Sequence, residues 1–312
     1  MRYKRFVHPH DDKGPMRRRF HTLDVFTGAA LSGNPLAVVL DAAGLDDARM
    51  QKIAAEFNLA ETVFVFEPIN PINTARLRIF TPARELPFAG HPTVGTACLL
   101  AHLREPALLR AQDLRLVLEE KVGDVVCVAR HRTGKPLGAY FTLPRLPEKL
   151  RGALSVDEIA EGLDAAPGEV GFDRHVPSAF SAGVEFHFAP LASRAAVDRA
   201  DPAKMDWGKG GGRALYVYAR GEAPHAYYAR MFASGWGIHE DPATGGAAAA
   251  FAGVIHAFEA LPEGDTLIAI DQGVKMGRPS FINLGIEIAH GAIAAATIGG
   301  EAVIVSEGTL DL

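Results

Sequence analysis

Short stretches in which every second residue is apolar make up most of the chain, and two segments carry almost no polar residue. Phe20-His21-Thr22-Leu23-Asp24-Val25-Phe26 alternates as a half-buried strand does, and Gly33-Asn34-Pro35 turns the chain into a second strand over 36–40. Residues 46–57 place Met50, Ile53, Ala54 and Phe57 at helical spacing, which predicts a helix with Asp46 as N-cap and Asn58 as its stop. Runs at 62–66, 75–80, 114–118, 124–130, 216–218 and 226–232 predict further strands, rich in β-branched and aromatic residues. The two exceptions are 94–101 and 247–258, helical segments apolar nearly all round, and a helix with no polar face must be enclosed by protein on every side.

Both enclosed helices follow the same kind of lead-in. Arg78-Ile79-Phe80 precedes His91-Pro92, and Arg230-Met231-Phe232 precedes Asp241-Pro242, with a glycine-containing turn into the helix each time. The copies lie about 150 residues apart, too far for a solenoid period, so the pattern predicts a duplicated, two-lobed α/β (α+β) molecule. The lobes are expected at 16–134 and 135–299, with Thr133-Gly134-Lys135-Pro136 as the boundary. Residues 1–15 are charged and lack an apolar core, so they read as a disordered extension and not as a signal peptide.

Composition narrows the function classes. With 48% hydrophobic and 22% charged residues the 312-residue chain is ordinary globular protein, and a net charge of -5 argues against a nucleic-acid partner. The apolar stretches are too short and too interrupted for a transmembrane helix. Cys98 and Cys127 are the only cysteines and have no ligand spacing, which points to a cytoplasmic protein and to no metal site. HExxH, GxSxG and a P-loop are absent, and Gly208-Lys209-Gly210-Gly211-Gly212-Arg213 reads as a flexible loop. His187, in an alternating Glu185–Phe188 segment, reads as an ordinary strand residue, and Arg17-Arg18-Arg19 as a solvated face.

Candidate chemistry concentrates at the starts of the enclosed helices. Free N–H groups and the helix dipole at such a start favour a carboxylate, and the pattern puts His91 and Asp241 at the N-cap positions. Glu61 opens the apolar run 62–66, where partial desolvation would raise its pKa toward the range useful for moving protons. Each residue also has a plainer reading: Asp241 as a helix cap, His91 as a satisfied core histidine, Glu61 as a turn-capping surface residue.

Taken together, Gly33-Asn34-Pro35-Leu36-Ala37-Val38, Asn58-Leu59-Ala60-Glu61-Thr62, Glu85-Leu86-Pro87-Phe88-Ala89-Gly90-His91-Pro92-Thr93 and Glu240-Asp241-Pro242-Ala243-Thr244-Gly245 resemble the PhzF phenazine-biosynthesis-like family. Gln272-Gly273 and Met276-Gly277-Arg278-Pro279-Ser280 extend the match, in order, over residues 18–312. The resemblance implies a diaminopimelate-epimerase-like fold: two pseudo-symmetric lobes, each a curled, mostly antiparallel sheet around a buried helix, with the last strand (300–312) returning to the first lobe. It implies a cofactor-free isomerase, commonly a homodimer, whose archetypal reaction is isomerisation of trans-2,3-dihydro-3-hydroxyanthranilate. By the same resemblance Glu61 would move the proton and His91 and Asp241 would flank a small carboxylate-bearing substrate. Asn34, Thr244 and the backbones of Gly90, Gly245 and Gly246 would hold that substrate; the family often has serine where this chain has Gly246. Racemases of the wider fold use two thiols, one per helix start, and no cysteine stands at either start here. An amino-acid-type epimerase and a non-catalytic dimer that binds a small acid remain as alternative readings.

Overall fold

A computed structural model describes residues 17–131, 134–208 and 212–312. The expected extension at 1–15, Thr133 of the expected boundary and the centre of the 208–213 loop lie outside the described residues.

The first half contains strands β1 (Arg17–Val25) and β2 (Asn34–Val39), helix α1 (Asp47–Phe57), strands β3 (Glu61–Phe66), β4 (Ala75–Phe80) and β5 (Glu85–Leu86), helices α2 (Gly90–Arg104) and α3 (Pro106–Ala111), and strands β6 (Leu114–Glu120), β7 (Gly123–His131), β8 (Leu137–Thr142) and β9 (Glu148–Lys149). The second contains α4 (Val156–Gly162), β10 (Ser178–Ser181), β11 (Glu185–Pro190), α5 (Arg194–Arg199), β12 (Leu215–Arg220), β13 (Ala226–Ala233), β14 (Ile238–Asp241), α6 (Gly245–Phe258), β15 (Gly264–Gln272), β16 (Ser280–Ala289) and β17 (Ala292–Asp311). The described strands join one hydrogen-bonded sheet, mostly antiparallel, that curls around α2 and then around α6. This is the diaminopimelate-epimerase-like α/β architecture. Strand β17 pairs with β16 and β8 along its first half and with β1 from Ala302 to Asp311, so the last strand is stitched to the first described one.

Helices α2 and α6 are buried because their sequences offer no polar face. Residues 90–101 of α2 are all buried, and α6 buries Ala247 through Ile255. Alanine and glycine dominate α6, and its one aromatic residue in the buried stretch, Phe251, is ringed within 6 Å by Phe188, Tyr216, Tyr218 and Tyr227. Helix α1 lies outside, with Asp46 accepting from Arg49 N–H at 2.7 Å as the N-cap, and Asn58 ending it at φ 50°.

The duplication is real, but its alignment differs from the one the sequence suggests. Arg230 makes a bidentate pair with Glu240 (2.9 Å at both atoms), and Arg78 makes the equivalent pair with Glu85 (2.7 and 2.6 Å). Ile79 pairs with Leu86 across β4–β5 as Met231 pairs with Asp241 across β13–β14. The matching segments are therefore Glu85-Leu86-Pro87-Phe88-Ala89-Gly90 and Glu240-Asp241-Pro242-Ala243-Thr244-Gly245. Asp241 corresponds to Leu86, and His91 to Gly246. Two prolines, Pro87 and Pro92, flank the turn into α2, and it is Pro87, not Pro92, that corresponds to Pro242.

Candidate active site

The two buried helices meet end to end. A Cβ placed on Gly90 would lie 2.8 Å from the Cα of Gly245, and one on Gly245 would lie 2.8 Å from the Cα of Gly90. No real Cβ tolerates such contacts, so both positions require glycine for the backbones to approach. Neither helix start has a side-chain cap: the N-cap residues are Ala89 and Thr244, and neither side chain bonds the first turn. The first N–H groups of both helices are thus left for an external acceptor, with both dipoles favouring negative charge there.

This corrects the expected placement of two residues. His91 is not an N-cap; it lies inside the first turn of α2. Asp241 is not a cap either, since it ends β14 three residues before the cap, Thr244. Both helices begin earlier than the apolar pattern suggests, at Gly90 and Gly245, because glycine carries no hydrophobic signal to mark the first turn.

Glu61 begins β3 opposite Leu36 of β2, and its carboxylate lies 3.2 Å from His91 Nε2. The two atoms are close but not aligned as a hydrogen bond, and His91 Nε2 is buried without another partner. Burial pushes the Glu61 carboxyl up to about 8, and the nearby Asp241 charge pushes in the same direction. Burial drives His91 down to about 3 despite a hydrogen bond to the Pro35 carbonyl, so its imidazole is neutral at pH 7. Asp241 is raised to about 6 by burial, while Thr244 and Asn34 hold it lower than burial alone would. One carboxyl poised near neutrality, one ionised carboxylate and one neutral imidazole converge on the paired helix starts.

Two of the remaining expected residues, Asn34 and Thr244, bond Asp241. Asn34 Nδ2 donates to Asp241 Oδ1 (2.9 Å) and to the Ala243 carbonyl (2.8 Å), reaching from the first lobe to the second. Thr244 Oγ1 donates to Asp241 Oδ2 at 2.5 Å. Gly246 faces the Phe186 ring, which a Cβ would meet at 3.6 Å, an ordinary contact. Sequence reasoning missed Gln272, whose Nε2 donates to the Asp241 carbonyl (2.8 Å) and to Thr244 Oγ1 (3.0 Å), clamping the loop before α6. It also missed Tyr216, buried with an unpartnered hydroxyl and close enough to Asp241 to feel its charge. Gln272 stood in a matching motif, but its side chain's target could not be read from one strand.

Two surface hollows, about 590 and 440 Å³, are lined by other residues, the first by α1 and the chain's end and the second by β8 and its neighbours. No group of three or more metal-ligating side chains occurs among the described residues.

The family model described as phenazine biosynthesis-like protein matches residues 23–308. The chain belongs to the phenazine biosynthesis-like (PhzF) family. It is similar, at 44% identity over 94% of its length and 98% of the relative's, to an uncharacterized isomerase of Mesorhizobium japonicum. It is 32% identical, over 93% of its length and 98% of the relative's, to the trans-2,3-dihydro-3-hydroxyanthranilate isomerase of Pseudomonas aeruginosa. The PhzF-family crystal structure from Bacillus anthracis superposes with a TM-score of 0.82 at 23% identity, covering 95% of this chain and 100% of that one, a likeness of fold. As a PhzF-family protein with relatives named isomerases along its whole length, the chain is an isomerase.

Proposed function

We propose that this isomerase moves a proton between carbons of a small, carboxylate-bearing substrate resembling trans-2,3-dihydro-3-hydroxyanthranilate, with Glu61 as general acid and base. The observation that carries the reading is Glu61 itself: a carboxyl raised to about 8, beside a neutral imidazole, facing two uncapped helix starts. A carboxyl titrating near the working pH can both remove a proton and return it. The substrate carboxylate sits on the N–H groups of Gly90, Gly245 and Gly246. His91 and Asp241 flank the reacting carbons, Asp241 being held in place by Asn34 and Thr244. Two-thiol chemistry has no support, since Cys98 and Cys127 are buried within the first lobe and burial pushes both thiols up, away from the reactive thiolate.

The test is turnover of trans-2,3-dihydro-3-hydroxyanthranilate by the purified protein, beside a panel of cyclic amino acids. Conversion of the former supports the proton shift; inversion of an amino-acid stereocentre instead would replace it with epimerisation. A homodimer forms part of the same proposal; Leu267 and Phe281 stand exposed on the outer face of β15 and β16. A monomeric mass by sedimentation would remove it.

A further inference from the structure

The corrected repeat alignment gives Gln272 a counterpart. Arg76 pairs with Glu119 across parallel strands β4–β6 as Tyr228 pairs with Asp271 across β13–β15, so Glu120 stands where Gln272 stands in the second lobe. Gln272 clamps the lead-in to α6 through an amide that both donates and accepts. Glu120, 8% exposed, reaches the first turn of α2, and its Oε2 is buried with no acceptor role filled.

The contact it makes constrains its protonation. Thr93 Oγ1 lies 2.8 Å from the Ala89 carbonyl and 2.8 Å from Glu120 Oε1. A hydroxyl has one hydrogen, and both neighbours are acceptors if Glu120 is ionised. One of the two short contacts would then be oxygen against oxygen with nothing between. Both are satisfied when Thr93 donates to Ala89, the back-bond a threonine makes to the residue four before it, and a neutral Glu120 donates to Thr93.

We propose that Glu120 is a positioning residue held as a neutral carboxylic acid behind the start of α2, and that its ionisation weakens binding of an anionic substrate at that start. Ionised, it would take the hydrogen of Thr93, leave the Ala89 carbonyl without it, and set a negative charge behind the N–H groups that face the substrate carboxylate. The second part rests on the reading of the site as a carboxylate cradle; the first does not.

The surroundings oppose charge on Glu120. On β7 it faces the Cys127 thiol, which its charge would push further up. Along the buried stretch of α2, residues 90–101, the titratable groups are His91, neutral at pH 7, and Cys98; His102 and Arg104 lie in its last turn, at the far end from Thr93. Its strand neighbours are engaged elsewhere: Glu119 accepts from the Ile69 and Asn70 N–H groups, and Lys121 pairs with Glu85 at 2.6 Å. Among the described residues no cation pairs with Glu120, and burial raises it to about 8.

The test has two arms. Infrared difference spectra of wild type against Glu120→Gln should show, at pH 6.5, a protonated-carboxyl band missing from the variant and fading as pH rises through about 8. Thr93→Val should keep that band and move it to higher frequency, because the acid loses its acceptor. No such band at pH 6.5 would overturn the proposal. In the second arm anthranilate is the probe, bound to Glu61→Gln so that neither turnover nor Glu61 titration intrudes. Its affinity should fall about tenfold between pH 7 and 9.5, the effect of one unit charge near the site, and stay flat when Glu120→Gln is added. Equal falls in both proteins would overturn the coupling. Failure of anthranilate to bind at any pH would overturn it together with the carboxylate reading, and the infrared arm would still decide the protonation.

Discussion

At the residue scale the candidate site brings together three side chains, Glu61, His91 and Asp241, whose charges are set by burial. Glu61→Gln preserves size and removes the base, so turnover should fall by about 10²–10⁴-fold with substrate affinity little changed; steady-state kinetics beside a binding titration separates the two. Asp241 raises Glu61 because like charges in a dry site oppose one another. Asp241→Asn removes that opposition, so the ionised Glu61 becomes easier to form and the acid limb of the kcat/KM profile should move to lower pH. A limb that stays in place would show that Glu61 does not titrate in that profile. The direction of the Glu61 shift was legible from its position before an apolar run, while its catalytic role came only from the family resemblance. The bond from Asn34 to Asp241 was not legible, because the two residues lie on different strands 207 positions apart.

Among the elements, the meeting of α2 and α6 carries the strongest constraint. Gly90→Ala or Gly245→Ala puts a methyl group 2.8 Å from opposing backbone, which has no side-chain rotamer to yield. Overpacking of that kind should cost about 1–3 kcal/mol and, by parting the helix starts, reduce activity as well. Gly246→Ser meets only the edge of Phe186 and should leave thermal stability unchanged or slightly higher, since serine is the better helix former by a few tenths of a kcal/mol. Thermal denaturation of the three variants checks both statements. The sequence showed that both helices are enclosed, because absence of a polar face is a one-dimensional signal. Where they begin was misread, as α2 opens with Gly90-His91-Pro92 and α6 with Gly245-Gly246, residues with no apolar period to follow. The repeat itself was visible, while its register was settled only by the matching Arg78–Glu85 and Arg230–Glu240 pairs.

The whole molecule is held together across its lobes by polar contacts as well as by β17. Arg278 reaches from the loop after β15 to Asp24 (2.6 Å) and to the Ser32 and Gly33 carbonyls (2.8 Å each), beside Asn34. Arg278→Ala should cost about 1.5–3 kcal/mol, as for hydrogen bonds to charged groups, measurable by chemical denaturation. Stability should also depend on pH in a definite way. His91, lowered in the fold, binds fewer protons folded than unfolded, so its contribution is complete above about 6.5 and is lost as pH falls toward 3. Glu61 and Glu120 are raised, so the folded state holds their protons longer and stability falls as pH rises from 4.5 toward 8. Above pH 6.5 the His91 contribution no longer changes, and the melting temperature of wild type should decline toward pH 9 more steeply than that of Glu120→Gln. None of this could be read from composition, because the buried acids are a few residues in a chain whose net charge is an unremarkable -5.

The most direct test of Glu61 as the group that moves the proton is proton NMR of trans-2,3-dihydro-3-hydroxyanthranilate with the protein in D₂O, run beside Glu61→Gln. Isomerised product carrying deuterium at the newly protonated carbon, formed by wild type and lost in the variant, is the predicted result. Equal conversion and labelling by the two proteins would contradict it and assign the proton transfer to another group.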